Sequence, residues 1–358
     1  MLKANRQAMS SDVSLQTTAQ PASCEGRIID MHVHLVGDGS SGSGCWLRPS
    51  RGRLLLAAFM ARHIGLPLAA LRGDLDRLYV ERLLQLVRES SLDAVVVLAQ
   101  EQVYDERGSL VEGGGSFYVP NDHVIKLAGH YPEFLPAVSI HPARADALEE
   151  LDRCLAKGAV LLKILPNCQN IDCNDRRYTR FWERMAAAGL PLLAHTGGEL
   201  TLPVVRPDLA DPRTLTLPLE CGVTVIAAHC ATKSSLFDPQ YFPVFVKMTR
   251  TYPRLYGDLS AFNVQNNRIR GDVAARCLES PLRERLVHGS DFPVGVFGHW
   301  AWLKGHLGWK TFRKWQRQAN VLERDYQFKR AMGFPAETFT RISRLLRVDR
   351  ASTRTIRL

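Results

Sequence analysis

The stretch Arg27-Ile28-Ile29-Asp30-Met31-His32-Val33-His34-Leu35 is the first of eight short apolar or β-branched runs that recur along the chain. The others are Asp93–Ala99, Phe134–Ile140, Ala159–Leu165, Leu190–Ala194, Val223–Ala228, Arg254–Leu259 and Arg285–Gly289. Each has the length of a strand and is bounded by turn residues. Between them, Arg77–Ser90, Ala145–Lys157 and Arg177–Ala188 place apolar residues at helical spacing and stop before a Gly, Ser or Asp. Strands alternating with helices predict βαβ units and a parallel sheet. Eight such units close into a barrel, so the predicted class is α/β, a (β/α)8 TIM barrel.

The chain of 358 residues is 46% hydrophobic and 23% charged, enough apolar material for a large core, which excludes disorder as the dominant state. No apolar run approaches the ~18 residues of a membrane span. The first 26 residues are polar without an apolar signal core, so 1–26 reads as a disordered tail and the location as cytoplasmic. The domain reading is therefore one barrel over 27–348, with a long loop at 37–76 that opens on a flexible Gly-rich stretch at 37–44 and suits a lid or substrate loop, C-terminal helices at 300–348 and a basic tail at 349–358. Eight cysteines are too sparse for a disulfide framework, and Cys168 and Cys173 lack the second pair a thiolate metal site needs. Of the net charge of +10, all resides in residues 301–358, with 14 Lys and Arg against 4 Asp and Glu. That end suits an acidic partner, but a solvated helix face packed through Trp309, Trp315, Phe328, Leu345 and Leu346 accounts for it, and nucleic-acid binding is not expected. The aromatic-rich end also suits a homodimer contact.

Polar residues fall at the strand ends. With a two-residue period, Asp30, His32 and His34 share one side of the first strand. The third strand ends at His141, the fourth presents Lys163, and the fifth, sixth and seventh run into His195, His229 and Asp258; the eighth leads through His288 to Asp291. In a barrel all these ends meet at one mouth. Imidazoles with a carboxylate and a position left for water compose a catalytic divalent site, Zn²⁺ first, with Mn²⁺ or Fe²⁺ also suited. Such an ion polarises a carbonyl and lowers the pKa of its water towards about 7, and Asp291 beside that water would serve as base and then acid.

Five motifs, Asp30-x-His32-x-His34, Leu192-Leu193-Ala194-His195-Thr196-Gly197, Ile226-Ala227-Ala228-His229-Cys230, Tyr256-Gly257-Asp258-Leu259-Ser260 and His288-Gly289-Ser290-Asp291-Phe292-Pro293, resemble those of the amidohydrolase superfamily. More narrowly they are similar to its amidohydrolase-2 branch, which includes aminocarboxymuconate-semialdehyde-decarboxylase-like enzymes. The resemblance implies a distorted barrel with one metal held by His32, His34, His195 and Asp291. It implies that His229 contacts the reacting group or the metal's water without being a permanent ligand, and that Asp30 orients His32 or His34 by a hydrogen bond; in the hydrolase reading His229 would stabilise the oxyanion. Lys163 is either the carboxylated bridge of a binuclear site, as in other branches, or an unmodified ammonium that places substrate or neighbouring groups; the second is preferred.

His141 replaces the glutamate ligand expected of deoxyribonuclease-type relatives, which argues against nuclease chemistry; it is either a hydrogen-bonded rim residue or a substrate contact. Arg48, Arg51 or Arg206 could hold a substrate carboxylate, and Asn167, Asn170 and Asp172 lie on the loop after the fourth strand. The expected function is a metal-dependent hydrolase that uses metal-activated water on a C–N or C–O bond of a small carbonyl substrate. The alternatives are a non-oxidative decarboxylase of a small carboxylic acid on the same scaffold, or an inactive barrel that binds nucleic acid or protein through its basic end.

Overall fold

The computed structural model describes residues 26–263 and 273–347. The tail expected at 1–26, apart from Gly26, and the basic tail at 349–358 lie outside the described residues. Eight parallel strands form one sheet in sequence order: β1 Ile29–His34, β2 Ala94–Leu98, β3 Phe134–Val138, β4 Leu161–Ile164, β5 Leu192–Ala194, β6 Val225–Ala227, β7 Leu255–Asp258 and β8 Leu286–Val287. Each lies inside one of the eight runs read from the sequence. The sheet nearly closes on itself, because Met31 N donates to His288 O (3.2 Å), Asp291 N to His32 O (3.0 Å) and His34 N to Phe292 O (2.8 Å). The barrel is therefore completed by backbone hydrogen bonds at the residues that carry the chemistry. A bulge in β1 between Asp30 and Val33 interrupts the strict alternation assumed from sequence.

Alternate residues of the strands fill the interior. Met31, Val96, Leu135, Leu161, Leu193, Ile226 and Val287 form one buried cluster, joined by Ile342 and Leu346 from the C-terminal end. The opposite strand faces pack under helices such as Leu75–Arg88, whose Leu75, Tyr79, Leu83, Leu86 and Val87 are buried while Arg77, Glu81 and Arg88 face out. Helix Thr179–Ala188 stops at Gly189, whose φ of 65° supplies the left-handed cap expected there.

The segment after β1 departs from the flexible stretch expected at 37–44. The Asp76 carboxylate accepts hydrogen bonds from the backbone of Asp38, Gly39 and Ser41 and from the hydroxyls of Ser41 and Ser43. Burial works against this carboxylate, but those donors outweigh it and bring its pKa to about 2. The Gly/Ser run is thus wound around one anion. Beyond it, Trp46–Leu47 pairs antiparallel with Phe117–Tyr118, and helix α1 (Arg51–His63) lies across the barrel mouth.

The basic end is integrated into the fold through its apolar and buried polar groups. In helix Val321–Ala331, Phe328 is buried and the Lys329 ammonium is fully enclosed. Lys329 Nζ donates to Gly289 O (2.7 Å) and to the Asp325 carboxylate, which also accepts from Asn263 Nδ2 (3.1 Å). This buried ion pair pins the turn after β8 from behind. Of the aromatic residues expected to anchor this end, Trp309 is half exposed.

Candidate functional site

The turn Gly289-Ser290-Asp291 reaches the strand-one histidines because position 289 has no side chain. A Cβ there would lie 2.8 Å from His32 Cβ. Asp291 itself has a φ of 70°, and His229, Cys230 and Ala231 have φ of 57°, 51° and 54°. Left-handed backbone at non-glycine residues costs of order 1–3 kcal/mol each and persists where the surroundings enforce it. Here it turns the Asp291 and His229 side chains into the mouth.

His32, Lys163, Asp258 and Asp30 are completely buried, and His195 and His229 nearly so. His32 Nε2 lies 3.2 Å from His34 Nε2, 3.1 Å from Lys163 Nζ and 3.3 Å from Asp291 Oδ1, while His34 Nε2 is 3.5 Å from the same oxygen. Ligand atoms of His32, His229 and Asp291 all lie within 4.8 Å of one another. His229, expected outside the ligand set, is thus as close to the centre as the expected ligands. His195 stacks edge-on to His229 at 5.0 Å, and its Nε2 is buried without a hydrogen-bond partner.

Asp258 sets the proton positions. Its Oδ2 accepts the Nδ1–H of His32 (2.7 Å). Its Oδ1 accepts the Ser260 hydroxyl and the backbone N–H of His229 (2.7 Å). Since Ser260 donates to Asp258, its Oγ accepts from His229 Nδ1 at 2.7 Å. Both rings therefore carry their proton on Nδ1 and turn a bare Nε2 lone pair into the site. With Nδ1 donating to Ser260, a neutral His229 ring offers an acceptor at Nε2, so the oxyanion role expected of it requires the protonated ring. The sequence reading noted Asp258 at a strand end but gave it no role. Its only signal was the carboxylate-at-strand-end pattern shared with Asp291.

Charges follow from burial. Burial lowers the His32 pKa to about 4, assisted by Lys163, and lowers Lys163 to about 8. For Asp291, burial favours the neutral acid, but the imidazoles of His229, His32 and His34 outweigh it and hold the carboxyl well below the usual range. Burial thus disfavours the protonated forms of His32 and His229 while Asp291 stays a carboxylate, the protonation states a divalent cation requires. The converging lone pairs, the nearby carboxylate and the orphaned His195 nitrogen fit such an ion.

The remaining expected residues divide. Asp30 orients His32 through the backbone: Oδ1 accepts from His32 N (3.1 Å) and Ser290 N (2.9 Å), so it ties β1 to the β8 turn while the ring is held by Asp258. His141 uses both ring nitrogens on backbone, Nε2 with Gln169 O (2.9 Å) and Nδ1 with Ala143 N (3.1 Å), which makes it structural. Asn167 is buried away from the cavity wall, and its carbonyl accepts from Val205 N and Arg206 N. Asn170 holds Tyr104 O and Asp172 caps its own turn. Arg48 stacks on Trp46, Arg206 pairs with Asp208, and Arg51 is exposed; none lines the cavity. Two residues the sequence reading passed over do line it, Arg53 and Glu199. Arg53 could have been sought one helical turn into α1, and Glu199 four residues beyond His195.

Acid should destabilise the metal-free protein. His32 and His141 have pKa values of about 4, lowered by burial from 6.5, so between those values the unfolded chain binds protons that the folded chain refuses. His195, His229 and His288, also pushed down by burial, act in the same sense. Asp30, raised by burial to about 6, opposes them between about 6 and 3.8, where only the folded chain holds its proton. Stability should thus fall as pH drops from 6.5 towards 4, by at least about 1.4 kcal/mol per unit, and Asp30→Asn should steepen the fall. Urea midpoints between pH 7 and 4.5 measure it; a flat profile would contradict the burial argument.

Comparison with known proteins agrees with the fold. A family model described as amidohydrolase matches residues 29–309. No curated protein matches the chain. Among solved structures, an uncharacterised TIM-barrel protein from Bordetella bronchiseptica is 18% identical, covers 84% of this chain and 99% of its own, and has a TM-score of 0.54. A probable 2-pyrone-4,6-dicarboxylic acid hydrolase from Acinetobacter baumannii is 13% identical over 87% and 99%, with a TM-score of 0.52. A 5-carboxyvanillate decarboxylase from Sphingomonas paucimobilis is 12% identical over 88% and 99%, with a TM-score of 0.49. The likeness to these structures is one of fold, whereas the family model spans most of the barrel. This chain belongs to the amidohydrolase family, in its amidohydrolase-2 branch.

Proposed function

We propose that the protein is a metal-dependent hydrolase of a small carbonyl compound, cleaving a C–N or C–O bond. The observation that carries this reading is the approach of His32 Nε2, His34 Nε2 and Asp291 Oδ1 to within 3.5 Å of one another, in a site where Asp258 has removed the proton from His32 Nε2. His32, His34 and Asp291 would hold the ion, with His195 or His229 as the further imidazole. When bound, a divalent cation, Zn²⁺ first, supplies Lewis acidity to a carbonyl and acidity to a water.

The chain's own groups manage protons. Asp291, held charged, and His229, with its bare Nε2, are the two acceptors facing the cavity, and either can take a proton from water and return it to a leaving group. Lys163, whose Nζ lies 3.1 Å from His32 Nε2, would serve as an unmodified ammonium that places substrate or neighbouring groups. Apolar side chains around the mouth exclude bulk water, which strengthens every one of these interactions.

Metal analysis and product analysis test the reading together. The purified protein is expected to hold one divalent ion per chain and to retain it in Lys163→Ala; two ions, both lost in that variant, would show a bridging lysine. Turnover in ¹⁸O-water should place label in the acyl product. Release of carbon dioxide with no label in the organic product would instead make the protein a decarboxylase.

A further inference from the structure

Glu199 is a carboxylate that lines the cavity and has one oxygen without a hydrogen-bond partner among the described residues. Asp258 accepts from His32, Ser260 and His229, and Asp291 sits against His32 and His34. The Glu199 side chain is only 8% exposed. Its Oε1 accepts from Thr201 N, Thr201 Oγ1 (2.5 Å) and Leu202 N (3.0 Å). Oε2 has no hydrogen-bond partner among the described residues, and it stands 3.7 Å from the orphaned Nε2 of His195. Glu199 and His195 both line the cavity that ends on His34, His229 and Asp291.

That cavity is largely apolar: it measures about 150 Å³, and Leu47, Leu56, Ala57, Met60, Phe117 and Leu165 are among its walls. A second cavity of about 370 Å³ is lined by the same His195, Glu199, His229 and Asp291, so Glu199 stands where the two meet. Few charged side chains reach the first cavity besides the site residues, chiefly Glu199 and Arg53. A ligand N–H or O–H placed at Oε2 would make a charge-assisted hydrogen bond in a site largely walled by apolar side chains.

We propose that Glu199 selects the substrate: Oε2 accepts a hydrogen bond from an N–H or O–H beside the reacting carbonyl of a compound whose apolar part lies in the cavity under α1. This rests on reading the site as one that acts on a carbonyl and adds the class of compound it takes. A charge-assisted bond of this kind should favour a donor-bearing ligand over its methylated analogue by about 10–100-fold. Glu199→Gln should invert the preference. The three donors of the Thr201–Leu202 turn keep the amide oxygen in the Oε1 position, so the NH₂ group replaces Oε2 and a donor replaces the acceptor.

The test is calorimetric titration of the protein as purified, wild type and Glu199→Gln, with benzamide, N,N-dimethylbenzamide and benzoate, with metal content measured on each sample. Benzamide should bind wild type 10–100-fold more tightly than its dimethyl analogue, and Glu199→Gln should abolish or reverse that ratio with its ion retained. Equal affinities in wild type, or tightest binding of benzoate unaffected by Glu199→Gln, would overturn the proposal and make Arg53 the selecting group. Loss of the ion in Glu199→Gln would also overturn it, by making Glu199 a ligand. A wild type without metal that still prefers benzamide would sink the hydrolase reading and leave the role of Glu199 standing.

Discussion

Asp291→Ala should strip the protein of its divalent ion and of its activity together. The substitution removes the one carboxylate oxygen that approaches both His32 Nε2, at 3.3 Å, and His34 Nε2, at 3.5 Å. It also removes the charge that burial would otherwise forbid and that three imidazoles hold in place. Losing an outer hydrogen bond at a metal site typically weakens binding by 10–100-fold. Loss of a group facing the ion itself should exceed that, so that metal measured after dialysis falls from one per chain to near zero. Catalysis falls for a second reason, since positioned acid–base groups contribute roughly 10²–10⁴-fold. Asp291→Asn separates the two, because the amide keeps an oxygen for the ion while losing the ability to carry a proton. It should retain part of the metal and lose most of kcat. An Asp291→Ala protein that keeps a full complement of metal would remove Asp291 from the site.

What could be read in the sequence, and what could not, follows from how far each property depends on distant residues. The strands were legible because a buried parallel strand is apolar on both faces, so Ala94–Leu98 or Val225–Ala227 declares itself locally. The gathering of His32, His34, His229 and Asp291 was legible because barrel topology alone brings strand ends together. The winding of Gly37–Gly44 was not, because its cause is the carboxylate of Asp76, more than thirty residues on; glycine and serine composition by itself reads as flexibility. The direction of hydrogen bonding at His229 was also out of reach, since it depends on a relay through Ser260 to Asp258. Nor could Glu199 be told from any loop glutamate before Thr201 and Leu202 were seen to occupy one of its oxygens. The arginines chosen from the sequence failed for a simpler reason: a mouth loop offers several, and only packing decides that Arg53 faces inward while Arg48 lies on Trp46.

Asp258→Asn should damage the site without touching the ion, through the proton on His32. In the native protein the two backbone N–H groups of His229 and Ser260 and the Ser260 hydroxyl converge on Oδ1, at 2.7 Å and 3.1 Å for the backbone donors. Backbone donors cannot become acceptors, so the amide oxygen of the variant must stay on that side and its NH₂ must face His32. The ring then has to accept at Nδ1, which moves its proton to Nε2, the atom 3.2 Å from His34 Nε2 and 3.3 Å from Asp291. A protonated Nε2 cannot ligate. Metal affinity should drop by about 10–100-fold in chelator competition, while urea unfolding stays cooperative because the Oδ1 bonds persist. The decisive readout is the ¹⁵N shift of the His32 ring, which should report Nδ1–H in wild type and Nε2–H in the variant. Affinity within threefold of wild type, or an unchanged tautomer, would show that Asp258 only packs against the ring and that the lone pairs of this site are fixed by something else.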